Sequence, residues 1–300
     1  MRYRPFAHSG MALSAVSLEL CGDDETAGAQ LGVTDWRDLV HAAFEEGVNT
    51  FELVRPTPAL LEGFAEGSAA VSRGLIFIGL RISDAADPAS LADQIAEAMA
   101  KAGLKTLDLL TLDADPDQPV GVPAVMRALR DHGLVRRLAV AGPGEAIEPY
   151  VQAGGFDALK TPFNLLSGWR ERHMIRTAVD RQMGVIGLEP CPAAIAPLIE
   201  AAQAQNKPGW FKKASPLAGI GSYAFLELTN GWSAEQLCLG YALTEPALTT
   251  VQARIVDREA LPELARVADR DLPAAISAQI EMARFSAEGG AEPEPERRRA

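Results

Sequence analysis

The chain has 300 residues, with 28 Lys plus Arg against 40 Asp plus Glu, a formal net charge of −12. That length allows one large domain or two small ones. The acidic balance excludes a phosphate-tracking nucleic-acid binder, which needs a basic face, and disfavours recruitment to anionic lipid. Apolar residues make up 48 % and charged residues 23 %, values of a globular chain with ample material for a core. No apolar run is long enough to span a membrane. The start, Met1-Arg2-Tyr3-Arg4-Pro5, lacks the apolar stretch and cleavage site of a signal peptide. Cys21, Cys191 and Cys238 fit no metal-ligand spacing; the expectation is reduced, mostly buried thiols of a cytosolic protein, with a catalytic thiol as the alternative.

Short apolar runs alternate with helical stretches. Ser14 to Leu20 is the first predicted strand, followed by a helix over 35–46 with Thr34 as N-cap and Gly47 as stop. Asn49 to Val54 is the second strand, and a helix over 59–72 follows. Gly74 to Leu80 is the third; Asp87-Pro88 opens the next helix as cap and first-turn proline, with Leu91, Ile95 and Met99 on one face. Leu107 to Leu112, Leu134 to Val140, Ala158 to Thr161, Gly184 to Leu188 and Leu248 to Gln252 complete the strands, with helices at 122–130 and 234–243 among them. Near-continuous apolar strands indicate parallel strands buried on both faces. Eight such units predict an α/β fold of (β/α)8 barrel type, with a doubly wound sheet as the alternative. The charged, proline-bearing end, residues 286–300, is expected to be a disordered tail beyond a single barrel over 1–285, either a solvated end or an interaction signal.

Several segments together resemble the aldo-keto reductase family. Tyr3-Arg4 through Ser9-Gly10 and Val16 to Gly22 are similar to its opening hairpin and first strand, and Gly47-Val48-Asn49-Thr50-Phe51-Glu52 to its second strand. Gly133 to Val140, Pro162-Phe163-Asn164-Leu165-Leu166 and Val185-Ile186-Gly187-Leu188-Glu189-Pro190 resemble its fifth, sixth and seventh strand regions. The resemblance implies carbonyl reduction with a nicotinamide cofactor and an Asp, Tyr, Lys and His tetrad in which a phenol hands its proton to the carbonyl oxygen. At the matching positions stand Glu52, Thr57, Arg81 and Asp113. A threonine hydroxyl is a far weaker acid than a phenol, Arg81 cannot share its proton as lysine does, and Asp113 sets a carboxylate where an incoming carbonyl oxygen would approach. Glu52 and Arg81 keep the charge pattern of the Asp–Lys pair and are expected to bridge at the barrel mouth.

Three readings of these changes stay open: drift of an idle mouth, a mouth rebuilt for binding without turnover, and new chemistry on the carboxylates Glu52 and Asp113. The cofactor positions implied by the resemblance are also altered. Ala141-Gly142 replaces the pair that holds the carboxamide, Lys160 stands at the glutamine position, and Leu188, Glu189 and Pro190 fall where the nicotinamide stacks. Val256 falls at the arginine position that grips the 2′-phosphate, unless Arg254 is shifted into it. This disfavours NADP(H) more than NAD(H); Asp257 or Glu259 is either a ribose acceptor or a surface acid at a helix start. Within the family the chain is most similar to degenerate, NAD(H)-binding regulators of bacterial division, which implies FtsZ and a histidine kinase as partners. An oxidoreductase with a rebuilt site on a small carbonyl compound is the alternative, and a ligand-free scaffold a third. His8, His41, His132 and His173 have no metal-ligand spacing. Trp210-Phe211-Lys212-Lys213, in the Gly/Pro-rich stretch 207–231, is either a partner or cofactor contact or a loop packed on its own barrel.

Overall fold

A computed structural model describes residues 1–7, 9–23, 31–82, 88–114, 121–206, 223 and 225–289. His8, Asp87, the Trp210–Lys213 segment and residues 290–300 lie outside the described residues. Two short antiparallel strands, β1 (Tyr3–Pro5) and β2 (Ala12–Ser14), form an N-terminal hairpin. Eight parallel strands then close into a barrel: β3 (Val16–Cys21), β4 (Thr50–Val54), β5 (Phe77–Ile82), β6 (Leu109–Asp113), β7 (Leu138–Ala141), β8 (Ala158–Pro162), β9 (Gly184–Leu188) and β10 (Thr250–Arg254), with β10 pairing back onto β3. Closure removes the edges of the eight-stranded sheet and excludes the doubly wound alternative.

The outer ring carries α1 (Val33–Glu45), α2 (Pro58–Ser68), α3 (Pro88–Lys101), α4 (Val122–Asp131), α5 (Gly144–Ala153), α6 (Trp169–Asp180) and α7 (Ile195–Asn206). Behind β9 and β10 come α8 (Phe225–Leu228), α9 (Ala234–Ala242), α10 (Leu261–Asp269) and α11 (Ala274–Gly289). Helices of the ring bury an apolar stripe against the barrel; in α3 it is the expected Leu91, Ile95 and Met99. Among the described residues no helix is long and apolar enough to cross a membrane.

Several element ends differ from expectation. The cap of α1 is Gly32, not Thr34: the Asp35 carboxylate accepts from the Gly32 N–H at 2.9 Å, so the helix begins two residues earlier. Helix α2 stops at Ser68. The runs at Leu107, Leu134 and Leu248 begin too early as strands, because buried apolar side chains (Leu107, Val135, Leu248) precede the point where the ladder forms; Leu107 and Val135 share only an isolated bridge. Helix α11 runs to Gly289, past the boundary expected at 285.

The barrel interior is layered. At its N-terminal end Phe6, held over the opening by the hairpin, meets Phe77 edge-on with ring centroids 5.1 Å apart, among Leu13, Leu109, Ala139, Ala158 and Ile186. Gly184 belongs to this packing, since a Cβ there would fall 2.4 Å from the Phe6 ring. Above this plug the interior becomes polar.

Candidate functional site at the C-terminal mouth

Side chains alternate along a strand, so residues two apart share a face. Glu19, Glu52, Arg81, Thr111, Lys160 and Gln252, each from a different strand, meet inside the barrel one step above the apolar plug. Parallel strands in register make this convergence possible: Glu19 lies beside Glu52, and Arg81 beside Thr111.

Glu52 is the centre. Its Oε1 is 2.5 Å from Lys160 Nζ and accepts from the Thr111 hydroxyl at 2.7 Å. Its Oε2 accepts from Arg81 Nη2 and from Gln252 Nε2, both at 2.8 Å. Gln252 Nε2 also reaches Glu19 at 3.3 Å, and Arg81 lies 3.4 Å from Glu19 and 3.8 Å from Asp113. Arg254 completes the set by a two-nitrogen contact with Glu19 Oε1. Three carboxylates (Glu19, Glu52, Asp113) thus face three cations (Arg81, Lys160, Arg254), a balance that lets Glu19, Glu52, Arg81 and Lys160 sit largely away from water while Asp113 and Arg254 reach the rim.

The consequences for protonation are unequal. Burial alone would raise the Glu52 pKa, but the Arg81 and Lys160 charges and the hydrogen bonds outweigh it and hold it down at about 2. For Lys160 burial wins over the attraction of Glu52, and its pKa falls to about 8. Burial raises the Asp113 pKa, against the pull of Arg81 and with help from Glu52. Glu52 is therefore a saturated anion and a poor proton acceptor. Asp113, half-exposed at the rim, keeps more capacity for proton exchange.

A cavity of about 620 Å³ opens beside this network, over the ends of β9 and β10, a size in the range of small-molecule sites. Its walls include Leu188, the last residue of β9, with Glu189 and Pro190 after it, Arg254, the last residue of β10, with Ile255 after it, and the first turns of α9 (Ser233, Gln236) and α10 (Glu263, Leu264). Ser233 and Gln236 cap α9 reciprocally, at 3.2 and 3.1 Å. Glu189 is left-handed at φ 49°, and its carbonyl accepts from Asn164 Nδ2 at 3.1 Å, which fixes the turn out of β9. Arg81 and Gln252 form the boundary between cavity and network.

The sequence-predicted residues are dispersed by these facts into groups. Leu188, Glu189, Pro190 and Arg254 come together as cavity wall. Lys160 does not join them; it is almost fully buried below, against Glu52. Glu52, Arg81 and Asp113 meet, with the Glu52–Arg81 bridge present. Thr57 stands apart as the N-cap of α2, its hydroxyl accepting from the Leu60 N–H at 3.3 Å. Asp257 accepts from the Glu259 N–H at 2.9 Å and caps the short turn leading to α10, and neither residue lines the cavity. None of the four tyrosines lines it either. Among the described residues no cluster of three or more His, Cys, Asp or Glu is disposed to hold a metal ion.

Glu19, Thr111 and Gln252 escaped the sequence reading. Their signal was present: each is a polar residue in the middle of a buried strand, flanked on both sides by apolar residues. Cys191 was expected with the buried thiols, but it is exposed and lines the cavity. The proline before it and the left-handed Glu189 carry the chain outward there.

No family model and no curated protein matches the sequence. Among solved structures, the chain is similar to the holo form of aldo-keto reductase AKR11C1 from Bacillus halodurans, with a TM-score of 0.69 at 14 % identity over 94 % of this chain and 96 % of that one. The apo form of the same protein superposes with a TM-score of 0.66 at 15 % identity, over the same shares of both chains. At that identity the likeness establishes the fold: a barrel of aldo-keto reductase type with an N-terminal hairpin.

Proposed function

We propose that the chain binds NAD(H) in the cavity beside β9 and β10 without reducing carbonyls, and that it regulates protein partners. The observation that carries this reading is the state of the tetrad positions. Glu52 is saturated by four donors, and Thr57 is spent on capping α2. No phenol lines the cavity to protonate a carbonyl oxygen.

The residues present fit a dinucleotide. Two helix N-termini, of α9 and α10, face the cavity and offer backbone N–H groups to a pyrophosphate. Leu188 and Pro190 offer an apolar wall, and Glu189, Glu235 and Glu263 offer acceptors to ribose hydroxyls. The same carboxylates oppose an added 2′-phosphate, and Arg254 is engaged by Glu19, so NAD(H) is favoured over NADP(H). When bound, the dinucleotide supplies a ring that donates hydride when reduced and carries a positive charge when oxidised. A ligand that favours one arrangement of the rim loops shifts the surface offered to a partner. The resemblance to KidO-type division regulators adds FtsZ and a histidine kinase as the partners to test.

Titration with NADH and NADPH, followed by tryptophan quenching and melting temperature, tests the reading. Saturable NADH binding with weaker NADPH binding supports it; no binding of either overturns it. Pull-down with FtsZ and the kinase, with and without NADH, tests the regulatory half. The raised pKa of Asp113 favours a second reading, an oxidoreductase with Asp113 as proton donor. That reading requires NADH consumption with a carbonyl compound and its loss in Asp113→Asn.

A further inference from the structure

A second cavity, of about 310 Å³, opens at the other end of the barrel, where the strands begin. Four chain segments wall it. They are the hairpin turn (Phe6, Ala7, Ser9), the approach to β7 (Arg137), the approach to β8 (Phe156, Asp157) and the link from α6 to β9 (Arg181 to Met183). Two of these segments are held in left-handed backbone without glycine, Ala7 at φ 43° and Gln182 at φ 63°. Residues of this kind are strained and gather where a chain meets a ligand.

The wall also carries charge that no carboxylate answers. Asp157 is occupied: its Oδ2 accepts from the Leu138 N–H at 2.8 Å and lies 3.7 Å from Arg130. Arg137 rests over the Phe6 ring, 5.9 Å from its centroid, and Arg181 donates to the Gln152 carbonyl at 3.3 Å. Neither arginine forms an ion pair among the described residues, in a chain whose net charge is −12. Arg181 stands at the carbonyl end of α6, where a cation is favourable by itself. Arg137 stands at no helix end, and nothing in the fold accounts for its charge.

We propose that this cavity binds the phosphate group of a small phosphomonoester between the Arg137 and Arg181 guanidiniums. Two arginines match the two negative charges of a phosphomonoester above its second pKa, and the guanidinium fork matches its oxygens. The Ser9 oxygen already accepts from the Met11 N–H at 3.1 Å, so the hydroxyl proton is left to donate to the ligand. Phe156 and Met183 give the organic part an apolar side. A phosphate held there joins the hairpin turn to the entries of β7 and β9, and so fastens Phe6 in the N-terminal opening. The site lies at the opposite end of the barrel from the cavity proposed for NAD(H) and does not depend on that reading.

The test is calorimetric titration of the full chain with inorganic phosphate and with phenyl phosphate, at low ionic strength and pH 7.5, with and without NADH. The expected result is saturable binding of both, tighter for phenyl phosphate, with the same affinity in the presence of NADH. Arg137→Gln and Arg181→Gln should each weaken it by about tenfold or more, and Arg137→Lys by less than Arg137→Gln. Arg176→Gln, an exposed change on α6 outside the cavity, should leave it unaltered. The melting temperature of each variant in phosphate-free buffer shows that it is folded, and Arg137→Lys carries the test if Arg137→Gln is not. Absence of saturable binding at millimolar phosphate and phenyl phosphate overturns the proposal. So does binding that survives the loss of Arg137, or that NADH displaces, since either places the phosphate elsewhere.

Discussion

At the N-terminal end of the barrel, Phe6, Phe77, Leu109 and Ile186 fill most of the interior with apolar side chains, beside the small hydroxyls of Ser17 and Thr50. One step further along the barrel, Glu52, Arg81, Lys160 and Glu19, on four of its strands, fill it with charges. Both layers are largely buried, but they are stabilised differently. The lower layer tolerates loss of volume in proportion to the cavity left behind. The upper layer holds only while every charge keeps its partner, because removing one partner leaves the other buried and uncompensated. The upper layer also occupies the place where barrels of this architecture carry their chemistry. Here it neutralises itself, and the open volume lies to one side, against α9 and α10.

The comparison is broken most severely by Lys160→Met, which keeps the side-chain volume and removes the charge. Glu52 then loses its 2.5 Å partner, and the expected cost is about 3–5 kcal/mol, measured by urea denaturation. The lower layer should resist an equally small change better: Gly184→Ala pushes a methyl into the Phe6 ring and is expected to cost about 1–3 kcal/mol.

Acid should separate the layers as well. The folded pKa of Glu52 lies at about 2, below its ordinary 4.5. Its contribution is therefore fully present above pH 4.5 and is lost as pH falls from there towards 2. That depression is worth about 3 kcal/mol, and the acid limb of wild-type stability should be steeper than that of Glu52→Gln by this amount. The smallest effect belongs to Thr57→Ala, which removes the α2 cap and is expected to cost about 1 kcal/mol. Thr57→Tyr should cost as much and bring no carbonyl reduction, because the residue's work lies in the helix and not in the mouth.

The barrel was legible in the sequence because buried parallel strands leave continuous apolar runs, and glycine and proline mark the turns between them. Strand ends were less legible: Leu134 and Leu248 are as apolar as strand residues but precede the paired backbone. Within the site, Glu52 and Arg81 could be paired because the resemblance sets them at its Asp and Lys positions with the charge pattern kept. Lys160 could not be assigned to Glu52 that way, since the two lie 108 positions apart and are joined only by closure of the barrel. Position by position the resemblance pointed Lys160 at a cofactor; the geometry points it at Glu52.

The central claim is that the mouth binds NAD(H) and cannot turn it over. Its most direct test is a stoichiometric mixture of protein and NADH, offered a panel of aldehydes and ketones. Nucleotide binding is followed by quenching of protein fluorescence, and NADH itself by its near-ultraviolet absorbance. Quenching that saturates while the absorbance stays flat across the panel is the result expected. Loss of absorbance above the protein-free rate with any carbonyl compound would contradict it.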